Sequence, residues 1–505
     1  MKVILSKKQA LFLDSQSQKK GYISNDELMD NAGRLSAEYL IETIEDPFNK
    51  RFLVIAGNGN NGGDALIMHY YLIKYGIDSS IYFVNKKSSK SLLVKYQVSD
   101  KYQISHIDSE LIKEFDWFID GIFGVGLNRP INGKIKKILE LLDGHPIISL
   151  DIPSGLNSDS GNTFKGGLLC KPKHVLSMGY LKPANIMGLG KQFFSNTEIL
   201  DIKFPEAKKL ISDIEIFLIE KDDIISMIKE ESILRNKYDF FCNLIVGSQL
   251  YAGAGVLSMS AALKGGASYA QIFVPDKISS IYKKSSSESK IIGIGNKDFF
   301  HLKDFNKVIN ILLDRKAPVL IGPGLGIEKN TQSFTAAVLK FLKKDKRECV
   351  LDASGFEPLY SEDITIDDLP SKCILTPHRG EFDKIFTNYS KTNKSELEIC
   401  REVSEKLNGR VLILKGPTTI VVSSDKKLYV INNANSLLAS AGSGDVLSGI
   451  LIGLLSRGYT LNEAALIGVY IHSLCSDIFY LKKSRYRMLS QDILDIIPKA
   501  FDEIL

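Results

Sequence analysis

An alternation of short apolar runs with helix-patterned segments, which stops once and then starts again, constrains this chain more than any other feature. Residues 52–56, 80–84, 115–120, 147–151 and 174–178 are short, β-rich and apolar, and helical patterns such as 65–75 and 135–142 lie between them. That order predicts a parallel sheet with helices on both faces. Between about residues 205 and 234 charged segments such as Glu220-Lys221-Asp222-Asp223 break the pattern. It restarts at Asn243, with strand candidates at 244–246, 271–274, 319–321, 350–351, 374–375 and 411–414. A chain of 505 residues is too long for one ordinary core. The expectation is therefore an α/β protein of two domains: a Rossmann-like doubly wound sheet over 1–205, a linker over 206–234, and a second α/β domain over 235–505.

Composition narrows the function classes. A hydrophobic share of 44% and a charged share of 24% are those of a water-exposed globular fold. The net charge of +5, from 64 basic and 59 acidic residues, suits a small anion and is too weak to argue for nucleic acid. The six cysteines are far apart, without a C-x-x-C pair or metal-ligand spacing, and read as thiols of a reducing compartment. The N-terminus carries three apolar residues in a row before charge returns, which fits neither a signal peptide nor a membrane span. A cytoplasmic protein that avoids membranes and nucleic acid is expected.

In the first half, the run at 52–56 leads into Gly57-Asn58-Gly59-Asn60-Asn61-Gly62-Gly63-Asp64 and then a helix. This holds G-x-G-x-x-G in a strand–turn–helix setting, so a dinucleotide cradle enters consideration. A hydride-transfer fold would place an acid after the next strand, where this chain has Asn85-Lys86-Lys87. Two further strand ends are rich in oxygen: Asp120-Gly121-Ile122-Phe123-Gly124-Val125-Gly126-Leu127 and Asp151-Ile152-Pro153-Ser154-Gly155. Neighbouring strand-end loops converge in a doubly wound sheet. Asn61, Asp120 and Ser154 can then offer hard oxygen ligands to a cation, which leaves Asp64 or Asp151 for proton transfer.

N-N-G-G-D, followed by D-x-x-x-G-x-G-L and D-I-P-S-G, resembles the NAD(P)H-hydrate epimerase domain over roughly residues 1–203. The resemblance implies that Asn60, Asn61, Gly62, Gly63 and Asp64 line a substrate pocket together with Gly124, Val125, Gly126, Leu127, Asn128, Arg129 and Pro130. It implies that Asp151 touches the substrate and that Asn61, Asp120 and Ser154 hold a potassium ion. Lys182, in Gly179-Tyr180-Leu181-Lys182-Pro183, matches the family's K-P turn and has no assigned role. Ala65 stands where the family has glycine, a change that narrows the loop.

The second half centres on Ala441-Gly442-Ser443-Gly444-Asp445-Val446. Val446, Leu447, Ile450, Leu451, Leu454 and Leu455 follow at helical spacing, and Gly458 offers a stop. A helix N-terminus with glycines suits a phosphate, and Asp445 sits where it can take a proton from a hydroxyl. Other loops supply Gly322-Pro323-Gly324-Leu325-Gly326, Thr376-Pro377-His378-Arg379-Gly380-Glu381 and Lys415-Gly416-Pro417-Thr418-Thr419. No G-x-x-x-x-G-K-[ST] loop is present.

Together G-P-G-L-G, T-P-H-x-G-E, L-K-G and A-G-S-G-D-V-L-x-G resemble the ADP-dependent NAD(P)H-hydrate dehydratase, a ribokinase-like fold, over roughly 235–505. The resemblance places the hydrated nicotinamide near Ala254, Gly326, His378 and Asp445. It places the nucleotide near Lys415, Gly416, Pro417, Thr418, Thr419 and Gly444. Departures from the family pattern are Asn236 for histidine, Ser354 for aspartate and Arg379 for proline, with Ala434 and Leu437 where glycines are usual.

Both resemblances converge on one substrate, NADH or NADPH carrying an added water. They imply a bifunctional repair enzyme that epimerises the R hydrate to the S form through Asp151. The S form is then dehydrated with ADP, with Asp445 as base. Potassium in the first domain, magnesium with ADP in the second and a homo-oligomeric assembly complete what the resemblance implies. The rival readings are a ribokinase-type small-molecule kinase, a first domain that only binds protein, and a nicotinamide-dependent dehydrogenase.

Overall fold

Arg51–Ala56 shows how the first sheet is built. Successive side chains of a strand point to opposite faces, and here both faces are dry. Phe52, Val54 and Ala56 join a core with Leu28, Leu40, Ile67 and Met68. Leu53 and Ile55 join another with Phe118, Ile122, Ile138 and Leu142. A strand buried on both faces is continuously apolar, the mark of a parallel sheet between two helix layers. In this computed structural model the described residues are all but 86–94, 97–98, 231–233, 362, 390–391, 393 and 433–434. Lys86, Lys87 and Ala434 therefore lie outside them.

Two compact units divide the chain between Ile216 and Phe217. In the first unit a seven-stranded sheet of described residues pairs parallel throughout, in the spatial order Gln103–Ile104, Asp78–Phe83, Arg51–Ala56, Trp117–Gly121, Ile147–Leu150, His174–Met178 and Thr197–Leu200. The order reverses at Arg51–Ala56, so the loops after it and after its neighbours open on a topological switch point. The helix Asn25–Thr43 packs closely on Asn60–Lys74: a Cβ on Gly33 would lie 2.5 Å from Ile67 Cγ2. The segment 206–234, read from sequence as a linker, carries the helices Ala207–Leu210 and Lys221–Ile225 and the strand Ile216–Leu218.

The second unit has a mixed sheet. Cys373–Leu375, Cys349–Leu351, Val319–Ile321, Phe241–Ile245, Tyr269–Pro275 and Ser289–Ile294 run parallel to one another, with Val411–Leu414 parallel beside Cys373–Leu375. Thr418–Val422 and Leu428–Asn432 then return antiparallel. Sequence reading placed a loop over 415–419 and missed this meander, because its polar turn hides two short strands. The helices Ala252–Lys264 and Ser443–Ser456 pack tightly, since a Cβ on Gly449 would stand 2.4 Å from the Ser258 carbonyl oxygen. Leu461–Lys482 is, by length and composition, apolar enough to cross a membrane. With 72% of its apolar window buried inside the protein, it is a core helix. All six cysteines are buried and free.

Candidate active sites

In the first unit a cavity of about 290 Å³ opens at the switch point. Asn60, Asn61 and Asp64 line it from the start of one helix, Gly124, Val125 and Gly126 from the next strand-end loop, and Asp151 and Lys182 from the two beyond. Leu11, Leu28 and Met29 supply an apolar wall that sequence reading did not assign. Of the residues expected here, Gly62 and Gly63 close the loop instead, their N–H groups bonding the Gly59 carbonyl at 3.0 and 3.2 Å. A Cβ on Gly62 would meet the Gly57 carbonyl oxygen at 2.1 Å. Leu127 turns into the core, and Asn128, Arg129 and Pro130 are exposed outside the cavity wall. Ala65 does not narrow the loop: its methyl packs against Gly121, where no side chain competes.

Asp151 has φ of +65°, a left-handed conformation that costs a non-glycine residue energy. Its fixed neighbours hold it there. The Asp151 N–H donates to the Leu176 carbonyl at 2.7 Å, and the Asn185 amide donates to the Asp151 carbonyl at 3.2 Å. The buried Lys182 ammonium donates to Asp151 Oδ1, and to the Met178 carbonyl at 3.0 Å. Oδ2 sits where a Gly124 side chain would come, 2.9 Å from an added Cβ. Asp64 has no hydrogen-bond partner among the described residues. Burial raises its pKa well above the ordinary carboxyl range, with Asp151 and Asp14 adding to the shift and Lys182 opposing it.

Asp120 and Ser154 form a separate knot beneath. Ser154 Oγ donates to Asp120 Oδ1 at 2.6 Å and accepts from the Phe123 N–H at 2.9 Å. Ser149 Oγ and the Ser154 N–H donate to Asp120 Oδ2 at 2.8 and 2.9 Å. Asn61 is buried, and neither of its amide atoms has a hydrogen-bond partner among the described residues. A burial of that kind is costly unless something binds there. An amide oxygen, a carboxylate and a hydroxyl are donors that fit a hard monovalent cation.

In the second unit, Gly442 caps the helix Ser443–Ser456 with φ of +85°. Only glycine takes that conformation without strain. Lys415 Nζ lies at the first turn of this helix, 3.2 Å from where a Gly444 Cβ would stand. It donates to Asp352 Oδ1 at 2.9 Å, and Thr376 Oγ1 donates to the same oxygen at 2.7 Å. Burial works against the Lys415 charge, yet Asp352, Glu381 and Asp445 together hold it raised. The Asp445 carboxyl is pushed up to about 7 by burial, with Asp352 and Glu381 adding and Lys415 opposing. Ser258 Oγ lies 3.1 Å from the Ala254 carbonyl and 3.0 Å from the Asp445 carbonyl, which brings Ala254 beside the Asp445 helix.

His378 and Lys415 are bridge partners on adjacent segments. His378 is exposed and caps the helix Arg379–Ile385, its Nδ1 accepting from the Glu381 N–H at 3.3 Å. The glycine loop reaches the site through Gly324, packed against Tyr251 and Ala254, while Gly326 lies against Glu328. Gly416 and Pro417 form the turn into the antiparallel meander, and Thr418 and Thr419 open its first strand. Asp352 was missed, although it ends the Cys349–Leu351 strand, where ligand-facing residues collect. Arg379 takes the first helical position and pairs with Asp383 at 3.0 Å. Ser354 lies in a short 3₁₀ turn and Leu437 is buried.

The fold and sites define an α/β protein of two units, one with an apolar-walled acidic cavity and the other with a glycine-capped helix terminus carrying Asp445 beside Lys415. Residues 242–499 match the family described as NAD(P)H-hydrate dehydratase, and residues 25–184 match the one described as YjeF-related protein N-terminus. The bifunctional NAD(P)H-hydrate repair enzyme of Dictyoglomus turgidum is 33% identical over 95% of this chain and 94% of its own. That of Thermofilum pendens is 26% identical over 97% and 94%. A ribokinase-like superfamily protein from Enterococcus faecalis superposes with a TM-score of 0.50 at 23% identity, covering 57% of this chain and 96% of its own. This chain belongs to the bifunctional NAD(P)H-hydrate repair enzyme family.

Proposed function

We propose that the second unit dehydrates the S hydrate of NADH or NADPH with ADP, and that the first supplies that S form from the R hydrate. The observation that carries the reading is Asp445, a carboxyl pushed up to about 7 at the mouth of a glycine-capped helix beside Lys415. A base of that strength takes the proton of a ring hydroxyl near neutrality. The freed oxygen attacks the terminal phosphorus of ADP, the bond to the inner phosphate breaks, and AMP departs. The helix amides and Lys415 stabilise the charge that develops on the transferred group. The ring nitrogen then expels phosphate, and loss of a proton from the adjacent carbon restores the ring double bond.

Among the described residues no group of three His, Cys, Asp or Glu side chains is arranged to hold an ion. Magnesium would accordingly come with the ADP phosphates, whose charge it would neutralise. In the first unit Asn61, Asp120 and Ser154 would hold potassium, which would fix the loops around the cavity. The Gly124–Gly126 loop and Asp151 receive the ring, with Asn128, Arg129 and Pro130 outside the cavity wall. The reading is tested by incubating the full chain with S hydrate and ADP. It requires one AMP and one inorganic phosphate per reduced nicotinamide recovered, and no recovery without nucleotide. Phosphorylation of some other alcohol, with the hydrate untouched, would instead favour the ribokinase-type kinase.

A further inference from the structure

Lys182 and Asp64 have no part in the function as stated above, yet both face the same cavity as Asp151. Resting on the reading of that cavity as the epimerising site, we propose that epimerisation proceeds by loss and return of water. Asp64 would release the ring hydroxyl, and the Asp151–Lys182 ion pair would admit a water to the opposite face.

The chemistry starts from the substrate. A dihydronicotinamide ring is an enamine: its carbon β to nitrogen takes a proton, and water adds at the carbon next to nitrogen. The hydrate is therefore a hemiaminal. Its nitrogen lone pair expels the hydroxyl when an acid supplies a proton, so the C–O bond breaks, water leaves and a C=N⁺ bond forms. A second water attacks the other face of that carbon, the C=N electrons return to nitrogen, and a carboxylate takes the proton of the new hydroxyl. One water leaves and one enters. The proton gained by Asp151 returns to Asp64 through solvent before the next turnover.

The cavity holds two carboxyls in the different environments this requires. Asp151 Oδ1 is ion-paired with the buried Lys182, which leaves Oδ2 without a hydrogen bond among the described residues. Asp64 has neither cation contact nor hydrogen bond there, and burial with Asp151 and Asp14 nearby favours its neutral, proton-donating form. Asp64 lines the cavity from the Asn60–Lys74 helix that follows Arg51–Ala56, and Asp151 from the residue after Ile147–Leu150, with the Trp117–Gly121 strand between those two strands. Inverting glycosidases divide the work between two carboxyls in the same way. Lys182 acts through Asp151 and is a positioning residue: its ammonium fixes the carboxylate's orientation and balances its charge.

The experiment is R hydrate with ADP and the full chain in ¹⁸O-water, followed by mass analysis of the inorganic phosphate. The dehydrating half passes the ring oxygen to phosphate, so phosphate released from R hydrate carries one ¹⁸O. Phosphate released from S hydrate carries less, gaining ¹⁸O only where S hydrate passes back through the epimerising site before it is dehydrated. Unlabelled phosphate from R hydrate would overturn the proposal, because the hydroxyl would have stayed on the molecule. No conversion of R hydrate at all would instead overturn the epimerase reading and this proposal with it. Asp64→Asn, close in shape, should slow R-hydrate turnover about 100-fold or more while S-hydrate dehydration continues. Unchanged R turnover in that variant would remove Asp64 as the acid. Lys182→Arg should retain more R turnover than Lys182→Met, and equal rates would remove the charge from its role.

Discussion

Each unit sets a Lys–Asp ion pair beside a second carboxyl whose pKa is raised. In the first these are Lys182, Asp151 and Asp64, and in the second Lys415, Asp352 and Asp445. The difference is what the lysine faces. Lys182 is sealed under its aspartate, bonded to a backbone carbonyl, in a cavity walled by Leu11, Leu28 and Met29. Lys415 is partly open at the first turn of a helix capped by Gly442. A sealed cation can only tune a neighbouring acid, whereas one at a helix N-terminus can also receive a phosphate. On the function proposed above, the same three groups would serve proton movement alone in one unit and group transfer in the other.

The sharpest way to break this comparison is Asp445→Asn. ADP-dependent dehydration of S hydrate should fall about a thousandfold, as loss of a general base does, with R-to-S conversion intact. In the native chain the dehydration rate should climb with pH toward about 7 and then level, because Asp445 must lose its proton to act. A rate independent of pH from 5 to 9 would detach the raised carboxyl from the chemistry.

Next in size is Asp151→Ala, for which R-hydrate turnover should drop about 100-fold while S-hydrate dehydration persists. Gly124→Ala makes a smaller test. Its methyl would crowd Asp151 Oδ2 at 2.9 Å. A displaced carboxyl should lower R turnover about tenfold, read by the same absorbance assay.

The smallest effect concerns stability. Asp445 has a folded pKa above its unfolded value, so its contribution weakens as pH rises through about 7. Asp445→Asn should therefore melt higher than the native chain at pH 8, by several °C, and by clearly less at pH 5, part-way between the unfolded value of 3.8 and the folded value of about 7. Calorimetry at the two pH values reads this directly.

What was legible in the sequence follows from range. The Arg51–Ala56 strand, the glycine loops and the Ser443–Ser456 helix show themselves locally, through apolar runs, glycines and helical spacing. Asn61, Asp120, Asp151 and Asp445 are legible because they stand at the ends of such elements. The Thr418–Val422 and Leu428–Asn432 strands were hidden because antiparallel pairing is set by a partner, and Thr418 looked like loop chemistry. The role of Lys182 depends on a carboxylate 31 residues away, and that of Asp352 on a lysine 63 residues away. The apolar wall from Leu11, Leu28 and Met29 comes from two N-terminal helices whose sequence shows only ordinary amphipathic character. Spacing along the chain cannot show such pairings.

The most direct measurement is recovery of reduced nicotinamide from an equilibrated mixture of both hydrate epimers, followed by absorbance with and without ADP. Two working sites predict complete, ADP-dependent recovery at a rate above that of spontaneous epimerisation. Recovery that stops at the S share would contradict an active first unit, and no recovery would contradict the dehydrating role of Asp445.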